Sequence, residues 1–196
     1  MPRTRPARSA RRTGVLSLAA AGAIALALSG CTGTPEPTPT PTAPTDAAAP
    51  IFASDEEALA AAEAAYERYL AVVDAVAATG YEDQSQIAEV VGAQHIEDVA
   101  ESLIGLRDRG LTPRGETRFD SASLVEWHQD DLVAQASVYL CLDVSEVRVF
   151  DASGVDVTSP ARDDRAPMQV QFESVSARET TLLVTAEDEW TGNDFC

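Results

Sequence analysis

The sequence predicts an α+β domain, and two observations carry this prediction. Between residues 54 and 109 the apolar residues recur every three to four positions, which is the period of helices with one buried face. After Pro113 the period changes to two, which is typical of strands. Because the helices precede the strands instead of alternating with them, we expect helices packed on one face of an antiparallel sheet.

The first predicted helix begins at a capping box. Ser54 is placed as the N-cap and Glu57 as the third helical residue, so that each side chain can satisfy a free backbone N–H group. Gly80 ends this helix. A shorter helical stretch is predicted at 85–91 and a third at 94–109. The apolar stripe of the first helix contains Leu59, Ala62, Tyr66, Tyr69, Leu70, Val73, Val76 and Ala77.

Alternating segments and turn residues predict the strands. Asp130-Asp131 and Asp151-Ala152-Ser153-Gly154 are typical of turns between them. In the last strand we expect Leu182, Val184, Ala186 and Trp190 to share one face, with Glu187-Asp188-Glu189 as a solvated end. The predicted segments are 117–127, 132–144, 146–150, 168–173 and 180–190.

Residues 1–30 have the organisation of an export signal. Residues 1–12 are basic, and 14–28 form an uncharged apolar run of fifteen residues, shorter than the about 20 that a transmembrane helix needs. Leu28-Ser29-Gly30-Cys31 resembles the lipobox of bacterial lipoproteins. The resemblance implies cleavage between Gly30 and Cys31 and a diacylglyceryl group on the Cys31 thiol, which anchors the protein stably to a bilayer. Two alternatives remain open: residues 1–30 are an ordinary secretory signal without lipidation, or the protein is exported by the twin-arginine route instead of the general secretory route.

Residues 31–50 predict a tether. Between Thr32 and Pro50 the chain holds six of its eleven prolines and six threonines, and no apolar side chain larger than Ala. Such a segment cannot form a core and favours extended polyproline II. Residues 51–196 then form a single domain of ordinary size.

The charge of the chain excludes several partners. After cleavage the protein would keep nine arginines and 32 acidic residues, a formal charge of −23. So acidic a surface repels phosphate backbones and anionic headgroups, which argues against nucleic-acid binding and against a basic membrane patch.

The remaining cysteines form an even pair. With Cys31 lipidated, Cys141 and Cys196 are left in an oxidising compartment, and we expect a disulfide between them; two free thiols are the alternative. The bridge would hold the C-terminal tail across the sheet face opposite most of the aliphatic residues.

The domain resembles a known superfamily in three segments and in its element order. These segments are Val138-Tyr139-Leu140-Cys141-Leu142-Asp143, the stretch from Asp151 to Thr158, and the ending Glu189-Trp190-Thr191-Gly192-Asn193-Asp194-Phe195-Cys196. They are similar to actinobacterial lipoproteins whose domain has the cone-shaped fold of the nuclear transport factor 2 and SnoaL-like superfamily. The resemblance covers 51–196 and implies a curved sheet.

Four aromatic residues are the candidate ligand pocket. Tyr66 and Tyr69 on the helix, with Phe119 and Trp127 on the first long strand, could line the mouth of a cone; the alternative is that they are core residues.

His128 could be a general base but is typical of an exposed residue beside a turn, and His95 is expected to cap a helix or lie at the surface. Oxygens around Asp151 could bind calcium weakly, although hairpin chemistry explains them as well. From the sequence we therefore assign no catalytic residue, no metal ligand and no cofactor.

Two functional hypotheses follow. The first is a non-enzymatic envelope lipoprotein, held on the extracytoplasmic face of the plasma membrane, whose domain binds a small apolar ligand or an envelope protein, with a homodimer as a further possibility. The second is a SnoaL-like isomerase or lyase that transfers protons inside the cone. It requires a buried carboxylate or histidine with a shifted pKa.

Overall fold

The computed structural model describes residues 49–196, so the predicted signal peptide, Cys31 and most of the tether lie outside the described residues. The described helices are α1 (Asp55–Ala78), a short 3-10 helix (Ser85–Glu89) and α2 (Ile96–Asp108). In this part of the chain no helix combines the length and apolarity that a membrane span requires. The strands are β1 (Thr112–Arg114), β2 (Arg118–Gln129), β3 (Ala134–Asp143), β4 (Arg148–Phe150), β5 (Arg165–Ser174) and β6 (Leu182–Glu189).

The strands form one four-stranded antiparallel sheet in the order β2-β3-β5-β6, and β1 pairs with β4 separately. Helix α1 lies against β2, β3 and β6. The structure is therefore α+β, as the change of period predicts. We call the sheet face under α1 the inner face and the opposite one the open face.

Helix α1 forms where the capping box places it. Ser54 Oγ accepts from the Glu57 N–H at 3.3 Å, and Glu57 Oε2 accepts from the Ala53 N–H at 2.7 Å. Acidic residues in the first turn favour the positive end of the helix dipole. At the other end Gly80 has φ +79°, the left-handed conformation that stops a helix. The buried positions are Ala58, Ala62, Ala65, Tyr66, Tyr69, Leu70, Val76 and Ala77.

Two short elements differ from the prediction. The second helical stretch ends at Glu89 instead of Val91, because Val90 and Gly92 exchange backbone hydrogen bonds with Val184 of β6. Strand β1 contains Pro113, where the sequence predicts only a boundary between elements. Proline is tolerated there because β1 pairs on one side only, with β4.

Bulges bend the long strands. The pairing of β2 with β3 shifts between Asp120 and Ser123 and again between Leu124 and Glu126. Ser121 lies within the first shift at φ +55°, a conformation uncommon for a residue with a side chain. Bulges increase local twist and bend a strand, so the sheet edge at β2 curves.

A further bulge reverses the faces at the end of β6. Phe172 pairs with Val184 but Gln171 pairs with Ala186, so Thr185 is an extra residue. From there Glu187 pairs with buried Val170 and lies on the inner face. The prediction that Ala186 and Trp190 share a face with Val184 is therefore wrong.

The cysteine pair lies on the open face. Cys141 on β3 is joined to Cys196, and their Cα atoms are 5.5 Å apart, so the pair is compatible with the expected disulfide. The tail runs beside Tyr139, whose ring centroid lies 4.8 Å from that of Trp190 and 5.8 Å from that of Phe195.

Candidate functional site

A carboxylate held by two phenols lies between α1 and β6. Tyr66 and Tyr69 are three residues apart on α1, so both side chains project from one face of the helix. The Tyr66 hydroxyl donates to Glu187 Oε1 at 2.7 Å, and the Tyr69 hydroxyl donates to Glu187 Oε2. Glu187 reaches them because the bulge at Thr185 turns it inward. Asp188 and Glu189 are exposed, as a solvated strand end predicts, whereas Glu187 is half-buried.

Burial controls the ionisation of this site. Tyr66 is fully buried and Tyr69 is 6% exposed. Burial, and next the charge of Glu187, raise the pKa of both phenols far above the ordinary value. Both hydroxyls therefore stay protonated at neutral pH and act as hydrogen-bond donors.

His95 is the third ionisable group of this region. It precedes α2 and is buried, and its Nδ1 lies 3.2 Å from Asp98 Oδ2. The neighbouring Glu187 carboxylate is the main cause of a raised His95 pKa and Asp98 adds to it, while burial opposes both. Glu187 acts on His95 without meeting hydrogen-bond geometry, since the buried Nε2 has no hydrogen-bond partner among residues 49–196. His95 is the N-cap residue of α2, as expected, but its side chain makes no capping hydrogen bond and is buried instead of lying at the surface.

An anionic cleft opens on the same helix. The cleft has a volume of about 410 Å³ and lies between α1 and the start of β2. Asp74 is fixed there because its carboxylate accepts from the Thr117 N–H and hydroxyl, both at 2.8 Å. The lining side chains are Glu67, Leu70, Ala71, Asp74, Glu116, Thr117, Arg118 and Phe119.

The charge of the cleft is mainly negative. Arg118, the one cation among these lining residues, is bound by Glu116 at 2.8 Å and by Glu146 at 3.2 Å. Glu67 and Asp74 therefore lack a basic partner within the cleft. The acidic side chains lie beside the apolar side chains of Leu70, Ala71 and Phe119. This arrangement suits a cation that also carries an apolar part.

The structure brings three of the four predicted pocket residues together. Tyr66 stacks on Tyr69 with ring centroids 5.7 Å apart and meets Phe119 edge-on at 5.1 Å. Of these three, Phe119 lines the cleft. Trp127 lies elsewhere, edge-on to Phe52 at 5.4 Å, and its Nε1 donates to Asp55.

The other candidates lie apart from this site. His128 is exposed and lines a groove on the open face. Asp151 Oδ1 accepts from the Ser153 N–H and hydroxyl and from the Val155 N–H, so this carboxylate organises a turn. Within residues 49–196 no three His, Cys, Asp or Glu side chains are grouped as metal ligands would be.

Sequence reasoning missed Asp74, Glu187 and the burial of His95. Glu187 could not be found from the alternation in β6, because the extra residue that turns it inward has no sequence signature. The acid at Asp74 lies off the apolar stripe of α1, and only its Thr117 partner distinguishes it from other surface acids.

Comparisons with known proteins give matches among solved structures. No protein-family profile matches the chain, and neither does any curated protein. Among solved structures, the intermembrane space region of the chloroplast protein ARC6 is similar with a TM-score of 0.46 and 11% identity, over 67% of this chain and 95% of that one. Aln2 from a Streptomyces species is similar with a TM-score of 0.37 and 20% identity, over 66% of this chain and 87% of that one.

Proposed function

We propose that this protein is a lipid-anchored envelope protein whose domain binds a small ligand in the cleft between α1 and β2. The lipobox-like segment ending at Cys31 supports the anchor, and the Pro/Thr tether supports a domain held clear of the bilayer. The cleft itself carries the binding proposal. Its volume of about 410 Å³ falls within the range of small-molecule sites.

The lining of the cleft sets the class of ligand. Glu67 and Asp74 attract a positive group, and Leu70, Ala71 and Phe119 offer apolar surface. The face of an aromatic ring also attracts a cation. We therefore assign the cleft to an amphiphilic cation, which refines the small apolar ligand that the sequence suggests.

The cone-shaped fold is part of the same proposal. The two register shifts in β2 support it, because bulges bend a strand and the resemblance to nuclear transport factor 2 and SnoaL-like domains implies a curved sheet. Phe119 borders both the cleft and the buried tyrosines, so the cleft would correspond to the mouth of the cone.

Fluorescence titration with a dansyl-labelled alkyltrimethylammonium tests the binding proposal. We expect saturable binding by the full-length protein in mild detergent, weaker by at least fivefold in Glu67→Gln/Asp74→Asn, since each substitution removes a charge that attracts the ligand. Glu82→Gln, away from the cleft, is the matched control. Equal affinity in all three proteins, or equal binding of a sulfonate analogue with the same alkyl chain, would reject the cation site.

The second candidate is a proton-transfer enzyme that uses Glu187 and His95. The observation in its favour is the buried Nε2 of His95, which has no partner among the described residues, beside a carboxylate that raises the His95 pKa. Deuterium exchange of an enolisable ketone such as cyclohexanone in D₂O tests it. Exchange that the protein accelerates, and that Glu187→Gln abolishes, supports the enzyme; exchange at the rate of buffer alone contradicts it.

A further inference from the structure

The centre of the open face carries a row of neutral polar side chains, and the carboxylates of Glu126 and Glu173 adjoin this row. Cross-strand pairs on β3 and β5 place Gln135 beside Glu173, Ser137 beside Gln171 and Tyr139 beside Gln169. Charged side chains, which this chain has over the rest of its surface, would be sufficient to keep the protein soluble. A run of amides and hydroxyls along two central strands therefore suggests a contact surface.

A groove of about 300 Å³ follows this row. The Gln169 amide donates to Ser137 Oγ at 3.0 Å, and the Gln135 amide donates to Glu173 at 3.0 Å, so both side chains are oriented. The amide of Gln171 has no hydrogen bond within residues 49–196. An amide offers two donors and an acceptor, so the groove can both give and take hydrogen bonds.

Three aromatic rings lie at one end of the row. Tyr139 contacts Trp190 and Phe195, and Phe195 is 40% exposed. The bridge from Cys141 to Cys196 holds this tail against the sheet. Tyr139 and Gln135 are four residues apart on β3, so the rings begin about 13 Å from the far end of the row.

We propose that the open face binds a neutral glycan. Sugar hydroxyls donate and accept hydrogen bonds, which the amides and Ser137 complement, and the apolar face of a pyranose ring packs on aromatic side chains. The carboxylates of Glu126 and Glu173, which also line the groove, accept hydrogen bonds from sugar hydroxyls and would repel an anionic ligand, so we assign the groove to a neutral glycan. This site lies on the opposite side of the sheet from α1, so it is separate from the proposed cation cleft.

The charge of the molecule argues against a second copy as the occupant. Face-to-face pairing would bring the Glu126 and Glu173 carboxylates of two copies close together, where they would repel one another. Stable homodimer interfaces are also more apolar than this row of glutamines.

Affinity electrophoresis of the full-length protein in detergent tests the proposal. Gels contain one neutral polysaccharide each, namely dextran, arabinogalactan or hydroxyethyl cellulose, with a gel lacking polysaccharide as reference. We expect at least one of them to retard the protein, with the dissociation constant raised tenfold or more in Gln171→Ala. Gln86→Ala, an exposed glutamine outside the sheet, should bind like the parent, and circular dichroism verifies folding of both variants.

Two outcomes overturn the glycan site. The first is no retardation by any of the three polysaccharides, or equal retardation of the parent and Gln171→Ala. The second is a dimer in sedimentation experiments that Gln171→Arg dissociates, because the face would then belong to another copy of the chain. Neither outcome bears on the cation cleft, whose test uses a different ligand and different variants.

Discussion

Glu187 joins α1 to the last strand of the sheet through two phenolic hydrogen bonds. Hydrogen bonds to a charged acceptor contribute about 1.5–3 kcal/mol each, and a buried group that loses its partner cannot turn to water instead. The site thus contributes to stability whether or not it takes part in ligand binding.

Removal of one phenol tests this contribution. We expect Tyr66→Phe to lower the free energy of unfolding by about 1.5–3 kcal/mol, because Glu187 Oε1 then loses the donor of a part-buried, charge-assisted hydrogen bond. Urea denaturation followed by circular dichroism measures the change. Tyr139→Phe is the matched control, because Tyr139 lies on the open face. Equal midpoints for the two variants would contradict the assigned role of Tyr66.

The stability contributed by His95 should depend on pH. Its folded-state pKa lies above the ordinary value of 6.5, so protonated His95 favours the folded state. This stability is fully present below about pH 6.5 and is lost as the pH rises through the folded-state pKa. His95→Gln should therefore be more destabilising at pH 5.5 than at pH 8.5, as thermal unfolding at both values measures. If His95→Gln lowered the stability equally at pH 5.5 and pH 8.5, the prediction would be contradicted. The same pH dependence in His128→Gln would contradict it as well.

Single residues mark the limit of what the sequence predicts. His95 and Glu187 carry ordinary helix-start and strand-end patterns, yet both are drawn inward by contacts with distant elements. Their neighbours in space come from segments more than 80 positions apart in the sequence, which a local pattern cannot encode.

Strand β6 shows the same limit at the scale of an element. The alternation in 180–190 predicts the existence of the strand, and the structure confirms it. The bulge at Thr185 depends on pairing with β5 and on the backbone bonds from Val90 and Gly92. By contrast α1 was predictable almost to the residue, because its capping box, apolar stripe and terminal glycine are all local signals.

Deletion of Thr185 tests the role of this bulge. A shift by one residue reverses every side chain beyond it, so Glu187 would leave the phenols and Trp190 would turn towards the core. We expect loss of the cooperative unfolding transition or a melting temperature lower by more than about 10 °C, on the order of 3 kcal/mol or more for a domain of this size. Deletion of Ala161 in an exposed loop is the control. If both deletions had the same small effect, the bulge would not be what places Glu187.

The C-terminal bridge should stabilise the domain by restricting the unfolded chain. It links positions 55 residues apart, for which loop-closure entropy gives roughly 4 kcal/mol. Cys196→Ser should lower the free energy of unfolding by an amount of this order, and dithiothreitol should lower that of the parent but leave the variant unchanged. Denaturation with and without reductant measures both effects. A parent that is insensitive to reductant would contradict the bridge.

For the whole molecule, the order of elements was sufficient to predict an α+β architecture. Helical period followed by strand period gives helices on one face of an antiparallel sheet, and the structure confirms this coarse arrangement. The pairing of β1 with β4 was not predictable, because three-residue strands leave too short an alternation to recognise. The cleft was not predictable either, since it depends on the angle at which α1 crosses the start of β2.

In the proposed function, a lipidated tether would hold this domain outside the membrane. Both proposed sites gain from this placement, because a soluble cation or a glycan can approach the cleft or the open face from the surrounding medium. The acid-rich surface keeps the domain away from anionic headgroups, so the acyl chains on Cys31 would supply the attachment.

The most direct test of this account is mass spectrometry of the full-length gene product isolated from a lipoprotein-processing bacterium, with detergent partitioning of the same sample. We expect a mature chain that begins at Cys31, carries a diacylglyceryl group and enters the detergent phase. Cys31→Ser should remain an uncleaved precursor without lipid. An unlipidated parent in the aqueous phase, or a Cys31→Ser chain with the same mature N-terminus, would contradict the lipid anchor.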